Sequence, residues 1–249
     1  ERNRQILIAR SLVRIPSDGL KVLACAMLPE LGHKTSRVSV GGGWRNNDTY
    51  EEVSLRTAYH DLLDPEPGYT PGAQIELGSI SLRHYNRADQ TRVERATLAN
   101  VLSLSPMDSL FHAPSWKLNM GMQTITHGGC ELCSNWHVNG GIGAATETHL
   151  LRHEVLFVFA EVEGNYSRAY EERHRVGGGA SAGFYADLTE RWRMLASTTY
   201  LRYALGDKSD DVRWSVAQRY TVAQNLALRM EYNHRDHDND VLFTVQAFF

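Results

Sequence analysis

The last ten residues, DVLFTVQAFF, alternate in character along the chain. Successive side chains of a strand point to opposite faces, so Val241, Phe243, Val245, Ala247 and Phe249 share one face and Leu242, Thr244, Gln246 and Phe248 share the other. The two preceding segments sort more sharply. Leu226, Leu228, Met230 and Tyr232 oppose Arg229, Glu231 and Asn233, and Val212, Trp214, Val216, Tyr220 and Val222 oppose Arg213, Ser215 and Arg219. A strand with one apolar and one charged face needs two different environments, one on each side.

The same pattern, in segments of about ten residues separated by Gly, Asn, Asp and Pro clusters, runs from Ser36 onward and is the outer-membrane strand signature. With 42% hydrophobic and 22% charged residues, the chain contains no apolar run of the roughly 18 residues that a membrane helix needs. A membrane barrel escapes that requirement, because only alternate residues face lipid.

Reading backwards, strands are predicted near 192–205, 175–188, 154–166, 135–148, 116–127, 93–104, 74–85, 50–60 and 37–44. The sequence therefore predicts an all-β, transmembrane antiparallel β-barrel of about 12 strands with a short helical N-terminal lead-in. An even count places both termini in the periplasm of a bacterial outer-membrane protein and turns the loops at 45–48, 86–90, 127–134, 165–174, 206–210 and 236–239 outward. Ile75 and Leu77 and then Ile80 and Leu82 keep to one face only through a one-residue slip at Gly78 and Ser79, which predicts a β-bulge there. A soluble sandwich or lipocalin-like barrel also alternates but buries its apolar face. The terminal aromatic, the strand number and the aromatics at strand ends (Trp44, Trp116, Trp136, Trp192, Tyr200, Tyr203) favour the membrane version.

Residues 1–33 do not alternate. RQILIARSLVRI reads as a short amphipathic helix stopping before Pro16, followed by the apolar LKVLACAML. No initiator Met or cationic leader opens the chain, so 1–33 is expected to be a lead-in or the tail of an upstream periplasmic domain, with the barrel over 34–249. Cys25 reads as a buried free thiol. A net charge of -3 with scattered basic residues argues against nucleic acid as a partner.

Between two predicted strands stands AYHDLLDPEPGYTPGAQIE, longer than a periplasmic turn needs to be. GHKTSRVSVGGG, this segment and LSLSPMDSLFHAPSWKLNMG, in that order, resemble the C-terminal barrel region of bacterial proteins whose front half is an Lnb-type periplasmic domain. The resemblance covers about Gly32 to Phe249. It implies an anchor for an upstream domain similar to papain-like cysteine enzymes and lipoprotein acyltransferases, so a cysteine-type activity would belong to that domain and none to this chain.

Inward-facing charges are expected at Arg37, Glu52, Arg56, His60, Glu76, Arg83, Lys117, Glu161, Glu163, Arg202, Arg213, Arg219, Arg229 and Glu231. Mixed signs in a lumen of about twelve strands predict mutual pairing and a closed interior, since wide aqueous pores need about sixteen strands. The contrary expectation is a narrow channel or a lipid or solute passage. His137 and Asn139 in SNWHVNGG invite comparison with barrel-wall phospholipases, making His137 a weak catalytic candidate; the place of the nucleophilic serine is taken by Asn139. Tyr59, His60 and Asp61 read as a turn cap or docking surface. Cys130 and Cys133 form CELC, open to a local disulfide, a redox pair or half a zinc site; an oxidising compartment favours the disulfide, and the second ligand pair that zinc needs is missing. No metal and no cofactor is expected. The expected partners are outer-membrane lipids, the barrel assembly machinery, for which Phe249 would be part of the insertion signal, and the upstream domain or subunit.

Overall fold

The computed structural model describes residues 2–12, 32–66, 68–107, 112–148, 152–236 and 238–249. A short helix, α1 (Arg2–Ser11), is followed by twelve strands: β1 (Arg37–Arg45), β2 (Asp48–His60), β3 (Ala73–Tyr85), β4 (Gln90–Ser103), β5 (Ser115–His127), β6 (Cys130–Thr148), β7 (Glu154–Ser167), β8 (His174–Asp187), β9 (Trp192–Gly206), β10 (Ser209–Ala223), β11 (Leu226–Arg235) and β12 (Asp238–Phe248). Each strand pairs antiparallel with its sequence neighbours, and β12 returns to β1, closing the barrel. In that seam Arg37 lies opposite Phe248 and Val40 opposite Val245. Gly43 lets the seam form: a Cβ there would stand 1.8 Å from the Val241 carbonyl oxygen.

β2 shows why this sequence makes a barrel wall. Tyr50, Glu52, Arg56 and His60 are buried, while Val53, Leu55 and Tyr59 between them are exposed. The distribution is inverted relative to a soluble sandwich. Ile142 and Val162 stand 68% and 65% exposed, whereas Arg56 and Arg219 are 2% and 1% exposed. An apolar exterior around an ion-paired interior is stable only with lipid outside, which decides between the two all-β readings. Trp44, Trp116, Trp136, Trp192 and Tyr200 lie on the outer face. Tyr203 does not: it is buried in the lumen, and its neighbour Arg202 points outward, the reverse of the expected parity for both.

Three further expectations are corrected. Helix α1 ends at Ser11, and its adjacent Ile6, Leu7 and Ile8 are all exposed, so it presents no single apolar stripe. The LKVLACAML stretch with Cys25 lies outside the described residues. The one-residue slip at Gly78, where φ is 64°, is present, since Ile75, Leu77, Ile80 and Leu82 are all exposed, but it is made without the expected bulge: register with β2 is kept there, and the shift in register falls between Ser81 and Leu82 against β4. The CELC motif belongs to strand β6 rather than to a loop, and Cys130 and Cys133 are joined in a disulfide beside the Gly128–Gly129 turn.

Candidate functional site: the lumen and its floor

Both ends of the barrel sequence meet at one rim, where the Phe249 amide donates to the Ser36 carbonyl at 3.0 Å. That rim is called proximal here and the opposite one distal. The β2–β3 connection is proximal and folds inward, burying Asp61, Leu62, Leu63 and Asp64 completely or nearly so. The sequence DLLD explains the shape. Asp61 accepts from the Leu63 amide at 2.9 Å and Asp64 from the Asp61 amide at 3.0 Å, so the two aspartates cap the turn from within. Leu62 packs with Leu104, Phe157, Phe159 and Tyr185 on the inner wall.

Guanidinium groups from five strands hold this floor. Arg56 donates to Asp64 at 2.8 Å, Arg219 to the Leu63 carbonyl at 2.9 Å and to Asp64 at 2.8 Å, and Arg229 to Asp61 at 2.6 Å. Arg193 donates to the carbonyls of Leu62 and Asp64 at 3.0 and 2.9 Å. Arg37 stands farther off, 3.7 Å from Asp61 and 3.9 Å from Asp64. Burial alone would raise the Asp64 carboxyl, but Arg219 and Arg56 hold it down at about 2. Burial likewise opposes ionisation of Asp61, and Arg229 and Arg37 overcome it, leaving it well below the usual carboxylate range. The turn is charged, satisfied and fixed across the mouth of the lumen.

Beneath it, His33 and His60 meet at 3.2 Å between Nε2 and Nδ1, and the rings of both stack on Tyr69. Burial lowers the His33 pKa, with Asp64 opposing the shift. The ligand atoms of His33, His60 and Asp64 lie within 4.8 Å of one another, the spacing of a metal centre. Asp64, however, is already bonded by two guanidiniums, and a divalent cation would sit beside both. The chemistry of the set fits a hydrogen-bonded histidine pair better than a metal centre.

The distal half is organised differently. One net contains Arg83, bonded to Glu52 at 2.5 Å and to Asp240, and Arg45, 3.2 Å from Glu94 and 2.5 Å from Asp238. It covers the β12 and β1–β4 side and includes Tyr50 and Tyr85. The other covers the β7–β11 side. There Arg213 bonds Glu163 at 2.6 Å and Asp211 at 2.7 Å, Arg175 and Arg235 bond Asp211 at 3.1 and 2.9 Å, and the Tyr203 hydroxyl donates to Glu163 at 2.7 Å. Among the described residues no ion pair joins the two nets. A slit of about 90 Å³ separates them, lined by Arg45, Arg83, Arg95, Asn233, Arg235 and Asp240 among others. Lys117 pairs with Glu161 at 2.6 Å and Arg229 with Glu231 at 2.5 Å, while Glu76 lines a cavity just above the floor.

His137 faces Asn119, with 3.3 Å between Nε2 and the amide oxygen, and its Nδ1 has no partner. Asn139 donates to Glu161 and Glu163. The structure thus brings His137 to an amide and not to a serine. Sequence reasoning missed Asp64, Arg193, Asp211 and the distal acids Glu94, Asp238 and Asp240. For Arg193, Asp211 and Asp240 the signal was present: Arg193 follows Trp192, a strand-end aromatic read as outward, and so takes the other face, and Asp211 and Asp240 share strand parity with the inward Arg213 and Leu242.

An apolar exterior, a polar lumen and a closed ring of twelve antiparallel strands define a porin-like transmembrane β-barrel of the outer-membrane kind. The chain belongs to the DUF7840 family, a domain of unknown function whose model matches residues 26–247. No curated protein sequence matches it. Among solved structures it is similar to the NanC porin, at 10% identity and a TM-score of 0.50 over 85% of this chain and 99% of that one, which supports the fold. Others are the KdgM porin in complex with disordered oligogalacturonate (8% identity, 86% and 99% covered, TM-score 0.49) and an outer membrane channel from Pseudomonas putida F1 (10%, 94% and 100%, TM-score 0.48).

Proposed function

We propose that the barrel is a plugged outer-membrane anchor that holds an upstream Lnb-type periplasmic domain, or a subunit of that kind, against the membrane. The observation that carries this reading is the Asp61–Asp64 turn, held across the proximal mouth by Arg56, Arg193, Arg219 and Arg229. A pore built for free solute exchange has no use for a mouth closed by buried ion pairs. Both ends of the strand ring lie at that same rim, so a polypeptide preceding β1 and the floor share one compartment, the periplasm when the strand count is even. Phe249, on the outer face beside β1, contributes to the signal by which the assembly machinery docks the last strand.

The test uses the full-length protein with a protease site introduced ahead of the barrel. After cleavage in membranes the upstream part is expected in the soluble fraction while the barrel stays in the membrane. An upstream part that remains membrane-bound without the barrel contradicts the anchor role.

A second reading, a gated solute passage, is favoured by the distal slit, which leaves the two charged nets unconnected above the floor. It differs from the anchor in one measurable respect: some condition must open the floor and produce current.

A further inference from the structure

Just above the floor the lumen keeps a cavity of about 60 Å³, to which Arg37, Ser39, Arg56 and Gln246 contribute. These four belong to neighbouring register positions at the barrel seam. Arg37 lies directly opposite Arg56 across β1 and β2, and Ser39 directly opposite Gln246 across β1 and β12. Like charges facing each other in a cross-strand pair destabilise a sheet. Several donors here also lack acceptors, since Nη1 of Arg37, Nε and Nη1 of Arg56 and the Ser39 hydroxyl are buried without a hydrogen-bond partner, and the Gln246 side-chain oxygen lacks a donor.

The charge balance points the same way. Ion pairs connect Arg37, Arg56, Arg219 and Arg229 with Asp61, Asp64 and Glu231, four guanidiniums against three carboxylates. With His33 neutral, one buried positive charge is left over. Arg37 is the group least compensated, with ion-pair distances of 3.7 and 3.9 Å. Of the other charges on the lining, Glu52 is bonded to Arg83, while Glu76 and Arg95, one of each sign, form no ion pair among the described residues. Water would satisfy the idle donors but not the charge, and a metal ion would add to the surplus. A carboxylate or phosphate group does both, because a planar guanidinium presents paired donors to an oxyanion.

We propose that this chamber binds one small oxyanion, a carboxylate or phosphate group, between the guanidiniums of Arg37 and Arg56 with the Ser39 hydroxyl as a third donor. The site rests on the closed floor, whose aspartates orient both arginines from below. Access is from the distal side, since Arg83 and Arg95 line both the chamber and the slit above it. The barrel then works as a blind receptor pocket for an anionic group arriving from the distal face.

The test titrates the purified full chain in detergent with inorganic phosphate and, separately, with acetate, followed by calorimetry. One of the two should bind saturably at one per chain, and the stronger identifies the group. Arg56 also holds the floor, so Arg37→Gln is the informative variant, with heat-modifiable gel mobility confirming the barrel. It should weaken binding roughly 10- to 100-fold, the range of a charged hydrogen bond. Ser39→Ala should weaken it by a smaller factor. Absence of saturation by either anion up to about 10 mM, or unchanged binding in Arg37→Gln, overturns the proposal. Failure here is distinct from failure of the closed floor, because conductance of the unliganded barrel reads the floor alone.

Discussion

At the proximal end the ion pairs run from a turn to the walls around it, whereas in the distal half each net of charges stays on its own side of the lumen. The residue types are the same in both places: arginine, aspartate, glutamate and an occasional tyrosine. What differs is where the acids are anchored. Asp61 and Asp64 sit on a connection that is free to cross the mouth, so pairing them draws the chain inward. Asp211, Asp240 and Glu163 sit on strands, so pairing them only lines the wall. A closed lumen therefore does not require more charge than an open one; it requires the charge to be carried by a turn.

Breaking the floor should have the largest consequence. Asp64→Ala leaves Arg56 and Arg219 buried without their shared carboxylate, and the cost is expected to be about 3–5 kcal/mol in denaturant unfolding, accompanied by current across planar bilayers. The distal counterpart is Glu163→Gln, which weakens the pairing with Arg213; it should cost about 1.5–3 kcal/mol and produce no current, because no turn is released. A current in that variant would abolish the distinction between the two regions. Smaller still, Cys130→Ser with Cys133→Ser removes a disulfide closing a very short loop, at most about 2 kcal/mol by the entropy of loop closure, with the floor unaffected.

Acidification sharpens the same comparison by the smallest step. The His33 pKa is lowered in the folded protein, so the unfolded chain takes up the proton first and stability should fall as pH drops below about 6.5, the ordinary imidazole value. The depressed Asp64 pKa acts lower down: its contribution is intact above about 3.9 and is lost as pH falls towards about 2. Unfolding midpoints measured from pH 8 to pH 3 should show the first decline in the parent chain and a shallower one in His33→Gln.

The barrel was legible in the sequence wherever one face is polar and the other apolar, as in β10 and β11, because period two then has only one reading. It blurred where aromatic residues face inward. Phe157, Phe159 and Tyr203 are buried in the lumen, and an apolar-out rule assigns such residues to lipid, which is how Tyr203 and Arg202 exchanged places. The floor was hidden for another reason. DLLD followed by Pro65 has the composition of an ordinary turn, and nothing in its spacing tells that Leu62 and Leu63 are buried or that arginines more than a hundred residues later, Arg193, Arg219 and Arg229, converge on it. The carriers of those charges could be read from strand parity; their common target depends on barrel closure, which only the register supplies.

The central claim is that the Asp61–Asp64 turn shuts the lumen, and single-channel recording of the purified chain in planar bilayers tests it most directly. At neutral pH and without added oxyanion the parent protein should insert and give no steady conductance steps, while Asp64→Ala gives them. Steady open-channel steps from the parent protein under those conditions would contradict the closed floor and everything derived from it.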